Sequence, residues 1–275
     1  MPRQLFSDRC SKEELQLMWN TMTQQQISDK LGFTTKCIYK HIKKWDLQKR
    51  VNGRSCPWTL LDEDSELINY LGGFGYADGC FQKTSITGYH FTISISKKDI
   101  EIRDLLHKNI KGSKVGEYID AAGKSMVSLY LYGVDLPEKL LKFGITQDKR
   151  YHWTEPIISN EMLPHFLRGW FDGDGYIGKD KYLMVLTNIN KEAIEWFDSK
   201  IKFLGYNPKR GYRWSSKEGR IVIPTNIHSQ SYSSKKRKTV YRHIITGKEN
   251  CLSIYNLLKG DSILRLDRKW SLLEK

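Results

Sequence analysis

Two aspartates, Asp78 and Asp174, hold the same place in two altered copies of one short segment, LGGFGYADG at Leu71 to Gly79 and LRGWFDGDG at Leu167 to Gly175. A pair of carboxylates with water and phosphate oxygens completing the shell is chemistry suited to Mg²⁺, a hard cation that seldom takes an all-protein cage. Each copy also carries small residues four apart, Gly73 with Ala77 and Gly169 with Gly173. On a helix these share one face, and a face without bulk lets another backbone approach closely. The spacing therefore predicts two helices packed on each other, with an aspartate at the C-terminal end of each. A carboxylate is badly placed at the negative end of a helix dipole, and two together call for a cation. Gly79 and Gly175 are expected to stop the helices in the left-handed conformation. A lone Asp-Gly is often only a turn signal; two in register within a repeat favour a site.

The repeat extends beyond these segments. FTISISKKDIEIRDLLHKNI after the first copy resembles MVLTNINKEAIEWFDSKIKFLG after the second, a strand pattern followed by a helix pattern. In the first half the pattern predicts strands near Phe81 to Thr87 and Tyr89 to Ser96, a helix from Asp99 to Ile110, strands near Val115 to Ala121 and Met126 to Tyr132, and a helix from Leu136 to Phe143. The second half repeats this with Tyr176 to Ile177, Tyr182 to Asn188, Lys191 to Phe203, Lys209 to Trp214, Thr239 to Ile245 and Asn250 to Leu258. Alternation puts His90, Thr92, Ser94 and Ser96 on one strand face and Phe91, Ile93 and Ile95 on the other. The polar face is either a nucleic-acid surface or ordinary solvated sheet.

The two motifs and the elements after them resemble the LAGLIDADG homing endonucleases, over about Ser65 to Lys275. The resemblance implies an α+β fold of two pseudosymmetric αββαββα repeats in a monomer, with the motif helices at the interface and two curved sheets forming a saddle on double-stranded DNA. It implies that Asp78 and Asp174 bind the metal, Mg²⁺, and that water is the nucleophile. Each aspartate would serve one scissile phosphate across the minor groove of a long asymmetric site. Basic residues assist in that family, and Lys149 in GITQDKR and Lys269 in LDRKW end the repeats at similar places. The chain departs from the pattern at the motif's earlier acid, Asp172 in the second copy but Tyr76 in the first, a change expected to affect how the first helix end packs. Other readings stay open: a non-cleaving regulator that joins such repeats to a helix-turn-helix, though regulators of this kind lose the acids present here, and a maturase that binds its host intron RNA. Protein splicing is not expected, because the chain starts Met-Pro and ends Glu-Lys.

Composition points to a polyanionic partner. The formal charge is +14, with a pI of about 9.4. Between Gly205 and Ile245 ten Lys or Arg face a single acid; Lys209, Arg210, Arg213, Lys235, Lys236, Arg237, Lys238 and Arg242 are candidate phosphate contacts, joined by His90, Thr92 and Ser94 on the first sheet. Residues 1–48 read as three helices resembling a helix-turn-helix: Leu15 to Trp19, Thr23 to Leu31 capped by Thr23, a turn at Gly32 and Phe33, and Thr35 to Trp45, around Ile27, Leu31, Ile38 and Ile42. The last helix offers Thr34, Thr35, Lys36, Tyr39, Lys40 and Lys43 to a major groove. Residues 49–64 read as a linker, 65–153 and 162–275 as the repeats, and 154–161 as the link between them. Five scattered cysteines without a CxxC pair argue against a zinc site or disulfide frame. No apolar span or signal region stands out, so the chain is expected to be soluble and intracellular; a regulator-like module on an enzyme of the resembled family suggests a phage or bacterial intron, and hence the cytoplasm or nucleoid of a bacterial host.

Overall fold

Ser11 and Glu14 close a capping box, the Ser11 hydroxyl accepting from Glu14 N at 3.1 Å and the Glu14 carboxylate from Ser11 N at 2.9 Å, and this starts α1 (Lys12–Thr21). The computed structural model describes residues 6, 9–22, 24–47, 58–84, 88–147, 149, 152–178, 182–208, 226–231 and 239–274. It divides into two units, Met1–Cys56 and Pro57–Lys275. In the first, α2 (Gln24–Leu31) turns through Gly32, at φ +70°, into α3 (Thr35–Lys44), where Thr34 caps by accepting from Cys37 N at 3.3 Å. Leu15, Ile27, Ile38 and Ile42 fill its core with Phe6 and Leu47. Leu31, expected there, sits half-buried at the rim. Thr23 lies outside the described residues.

The second unit begins within the predicted linker. Trp58 and Leu61 of a 3₁₀ turn, Trp58–Asp62, are buried in the core, and the Trp58 indole donates to Tyr132 O at 3.0 Å. The connection is therefore shorter than the 49–64 reading. Ser65 then caps α4 (Glu66–Asp78), followed by β1 (Gly79–Lys83), β2 (Tyr89–Ser96), α5 (Ile100–Asn109), β3 (Lys114–Ile119), β4 (Ser125–Gly133) and α6 (Leu136–Leu141). The second half repeats this as α7 (Leu163–Asp174), β5 (Gly175–Ile177), β6 (Leu183–Asn188), α8 (Lys191–Phe203), β7 (Asn226–Ser231), β8 (Thr239–Thr246) and α9 (Lys248–Leu257), with a final turn α10 (Asp267–Trp270). The fold is α+β, and each half carries a four-stranded antiparallel sheet of the same topology, β1-β2-β4-β3 and β5-β6-β8-β7.

The strand beside β8 is one the sequence reading did not name. The partner of β8 is Asn226–Ser231, with Asn226 opposite Ile244 and Ser231 opposite Thr239. The predicted strand at Lys209 to Trp214 begins beyond the last described residue of its segment. NIHSQS carries almost no strand signal in the sequence, which is why this strand escaped the sequence reading.

In the first sheet the alternation holds. Phe91, Ile93 and Ile95 are buried against Val127, Leu129 and Leu131, while His90, Thr92 and Ser94 pair on the other face with Tyr132, Tyr130 and Ser128. The halves are tied by Arg168, fully buried on α7. Its guanidinium donates to Leu258 O and Leu264 O, each at 2.8 Å, and to the Glu66 carboxylate at 2.9 Å, so the chain after α9 is pinned to the start of α4.

Candidate catalytic cleft

The glycines decide how closely α4 and α7 meet. A Cβ on Gly73 would lie 2.8 Å from Trp170 N and closer still to Phe166 O; one on Gly169 would lie 2.8 Å from Phe74 N and closer to Tyr70 O. Backbone therefore packs on backbone at both positions. At the C-terminal end Gly173 faces Ala77, and a Cβ on Gly173 would stand 3.2 Å from Asp78 Oδ2. The helix pair thus brings Asp78 and Asp174 together, as their spacing predicts.

Gly79 and Gly175 do not take the expected left-handed turn. Their φ values are −74° and −85° with extended ψ, so each motif helix runs straight into a strand. Glycine is needed there for room. A Cβ on Gly79 would sit 2.5 Å from the Phe91 ring, and one on Gly175 2.7 Å from the Phe171 ring.

Two lysines answer the negative helix ends. Lys149 Nζ donates to Gly75 O at 2.9 Å, to Tyr76 O at 2.5 Å and to Ala77 O at 3.2 Å. Lys269 Nζ, buried, donates to Phe171 O at 3.3 Å, to Asp172 O, to Gly173 O at 3.4 Å and to Gly175 O at 2.6 Å. Each ammonium satisfies carbonyls that a helix terminus leaves unpaired. Both residues were predicted from their place at the ends of the repeats. The structure puts each on the motif-helix end of its own half, while the Lys269 charge acts most on Asp78 and the Lys149 charge most on Asp174.

The carboxylates themselves are poorly served. Burial pushes the Asp174 pKa up to about 6, and the neighbouring Asp78 charge adds to this; Lys149, a 3.3 Å bond from the Trp170 indole and Lys269 oppose it. Asp78 is also raised, chiefly by desolvation and against both lysines. Part of its surface is exposed, yet the surrounding protein desolvates it, as befits a group on a cleft wall. No protein hydrogen bond reaches its carboxylate among the described residues. Both aspartates open on a cavity of about 540 Å³ lined also by Tyr76, Cys80, Lys149, Thr187, Asn188 and Val240. A second cavity, of about 690 Å³, lies against Gly173, Gly175, Tyr176, Arg268 and Lys269 on one side and Ser96 and Lys98 on the other. Each cleft thus combines the helix end of one half with the sheet end of the other.

The departure at the motif's earlier acid has a structural answer. Asp172 is buried, its pKa raised by burial to about 6, and it accepts from Tyr70 OH at 2.8 Å, Leu266 N at 2.9 Å and Trp270 Nε1 at 2.6 Å. Tyr76 stands in its place on α4 and packs edge-on to Trp170 at 4.7 Å and Trp153 at 5.9 Å. One half anchors its C-terminal segment with a carboxylate, the other with aromatic rings.

The predicted nucleic-acid residues divide by location. His90, Thr92 and Ser94 share the face away from the core; the His90 ring stacks on Tyr132 at 4.8 Å and on Tyr130 at 5.4 Å, and Ser94 Oγ lies 2.8 Å from Ser128 Oγ. Arg242 lies beside Thr187 in the register of β8 and β6. In the N-terminal unit Thr34, Lys36, Tyr39, Lys40 and Lys43 are exposed along α3, Thr35 is half-buried, and Lys43 Nζ stands 5.1 Å over the Tyr39 ring. Lys209, Arg210, Arg213, Lys235, Lys236, Arg237 and Lys238 lie outside the described residues. Sequence reasoning missed Trp170, four residues before Asp174 on the same helix face, and Thr187 and Asn188, which the repeat alignment could have placed at a sheet end. Among the described residues no three His, Cys, Asp or Glu form a metal cluster, the four described cysteines are free, and no helix is long and apolar enough to cross a membrane.

Comparison with known proteins finds partial likenesses. The chain is 28% identical over 149 residues to the DNA-directed RNA polymerase subunit Rpo1C of Methanocaldococcus jannaschii, a match covering 53% of this chain and 16% of that protein. Among solved structures it is similar to I-DmoI in complex with DNA and Ca, with a TM-score of 0.45 and 15% identity, covering 77% of this chain and 99% of that one. It is also similar to the N-terminal LAGLIDADG domain of DUF199/WhiA, with a TM-score of 0.40 and 13% identity, covering 71% and 82%. Residues 161–259 match the LAGLIDADG-like domain. This segment holds α7 and Asp174.

Proposed function

We propose that this chain is a site-specific double-strand DNA endonuclease of the homing type, hydrolysing phosphodiester bonds with a divalent cation held by Asp78 and Asp174. The observation that carries the reading is the meeting of the two carboxylates where glycine-packed helices end, on the wall of an open cleft. The residues fit a hard divalent cation. The donors are oxygens, Asp78 has no protein hydrogen-bond partner among the described residues, and both groups hold their protons more tightly than free carboxylates because burial penalises the charged form, with the Asp78 charge adding to this at Asp174. Bound there, Mg²⁺ would supply Lewis-acid activation of water and charge against the phosphate.

The protein's own part is positioning and charge. Lys149 and Lys269 hold the helix ends that carry the aspartates and bring positive charge beside a phosphate that gains charge during hydrolysis. Trp170 orients the Asp174 carboxylate. The outer face of the first sheet, with His90, Thr92 and Ser94, and Arg242 on the second sheet would contact the duplex, and Lys36, Tyr39, Lys40 and Lys43 on α3 would add a contact in a major groove. The basic residues of 209–238 are further phosphate contacts in this reading. The protein would act as a monomer on a long asymmetric site.

The test is cleavage of a randomised duplex library with Mg²⁺, beside Ca²⁺ and chelator controls, by wild type and by the Asp78→Asn, Asp174→Asn double variant. Metal-dependent double-strand cuts at one site, lost in the variant with binding retained, are expected. Sequence-selective retention without cutting by wild type would instead favour a non-cleaving regulator, and preferential retention of intron RNA a maturase.

A further inference from the structure

The second cleft holds a clamp that the catalytic reading has not used. Asp99 stands at the N-cap of α5 but makes no side-chain cap there. Its buried carboxylate accepts from Arg268 instead, at 2.6 Å from Nε and 2.9 Å from Nη2, across 169 residues of sequence. The carboxylate sits at the positive end of the α5 dipole, and the fork geometry fixes the guanidinium plane. Arg268 is nevertheless 52% exposed, and its Nη1 has no protein acceptor among the described residues. It lines the 690 Å³ cleft beside Lys98 and the Lys269 that caps α7. A guanidinium held along one edge by a buried carboxylate and exposed on the other is fixed in direction with donors left over. Such a clamp is suited to aiming the remaining N–H groups at an anion.

Among its described residues the first cleft has no such group. The residue before Lys149 is Asp148, where Arg268 precedes Lys269. The N-cap of α8 that matches Asp99 is Asn190, an amide that donates to Lys149 O at 3.1 Å and holds no arginine. Among the described residues no arginine lines the cleft that holds both carboxylates. One cleft therefore presents two carboxylates and Lys149, the other Arg268 and Lys98. The cation-lined cleft suits a backbone phosphate of the strand lying on that side.

We infer that Arg268, held in position by Asp99, binds a DNA backbone phosphate in the second cleft, without a counterpart in the first, so that the two strands of the target are cut at unequal rates. The inference rests on the endonuclease reading for its consequence, though not for the contact itself. Two measurements test it. In chelator, the affinity for a 30-base-pair duplex is followed against salt for wild type, Arg268→Met, Arg268→Lys and, as a remote control, Lys108→Met. Loss of one phosphate contact should lower the magnitude of the log–log salt slope by about 0.9 in Arg268→Met, leave Arg268→Lys near wild type, and leave the control unchanged. On supercoiled plasmid bearing the selected site, strand-resolved nicking with Mg²⁺ should show an accumulating nicked intermediate. Arg268→Met should slow one strand tenfold or more and the other less than twofold. Asp99→Asn should slow the same strand by a smaller factor.

An unchanged salt slope in Arg268→Met overturns the phosphate contact. Equal slowing of both strands, with a lowered melting temperature, overturns it in favour of a structural tie between the halves. If the wild type cuts neither strand, the endonuclease reading and the unequal-cutting consequence both fall, and the salt slope alone decides the contact.

Discussion

At the scale of single residues the cleft is defined by groups whose charge the fold resists. The Asp174 carboxyl rises from 3.8 to about 6 through burial and the Asp78 charge. A carboxyl with a raised folded pKa binds its proton more tightly folded than unfolded. It therefore supports the fold fully below about pH 4 and loses that support as pH rises through 6. Without metal, Asp174→Asn should accordingly raise the thermal midpoint at pH 7.5 and change it little at pH 4; a calorimetric pH series in chelator checks this. Mg²⁺ at pH 7.5 should raise the midpoint of wild type and not of the double asparagine variant. His165 runs the other way. Desolvation, with the Arg168 charge, lowers it from 6.5 to about 4, so the neutral imidazole supports the fold above pH 6.5 and that support is lost as pH falls towards 4. His165→Gln should flatten this acid limb of the midpoint-against-pH curve.

At the scale of elements, the α4–α7 pair depends on absent side chains. Gly169→Ala would drive a Cβ into the α4 backbone, which cannot swing aside as a side chain can. The expected loss is about 1–3 kcal/mol or more, read as a lower urea midpoint. Lys149→Met would leave the carbonyls of Gly75, Tyr76 and Ala77 without their ammonium, at a cost of roughly 1–3 kcal/mol; stability and strand-resolved nicking measured together would separate capping from chemistry. Much of this was legible in the sequence, because i, i+4 glycines and strand alternation are local patterns. The face of β2 and the full length of α8 follow from them. What was not legible depends on residues far apart in the chain. Nothing around Gly79 announces that Phe91 fills the space a Cβ would need, and nothing near Asp99 announces Arg268. The lysines could be found only because the repeat ends twice, and their role as caps on the motif helices could not be read at all.

At the scale of the whole molecule, charge and division into units govern binding. The N-terminal unit has its own core around Leu15, Ile27, Ile38 and Ile42, so calorimetry at low salt should resolve two transitions. Lys36→Glu, Lys40→Glu and Lys43→Glu together should weaken DNA retention and lower the magnitude of the salt slope by roughly two to three, while the larger unit's transition stays where it was. Each cleft of that larger unit takes its floor from one repeat and its wall from the other, Gly173 and Lys269 with Ser96 and Lys98, Asp78 and Lys149 with Thr187 and Asn188. Injury therefore crosses the repeat boundary: a lesion on the sheet of one repeat disables the cleft floored by its sibling. Two copies of the protein, each damaged in a different repeat, could not share the work between them, since every intact cleft needs both repeats sound in the same molecule. The duplication supplies two clefts and no spare.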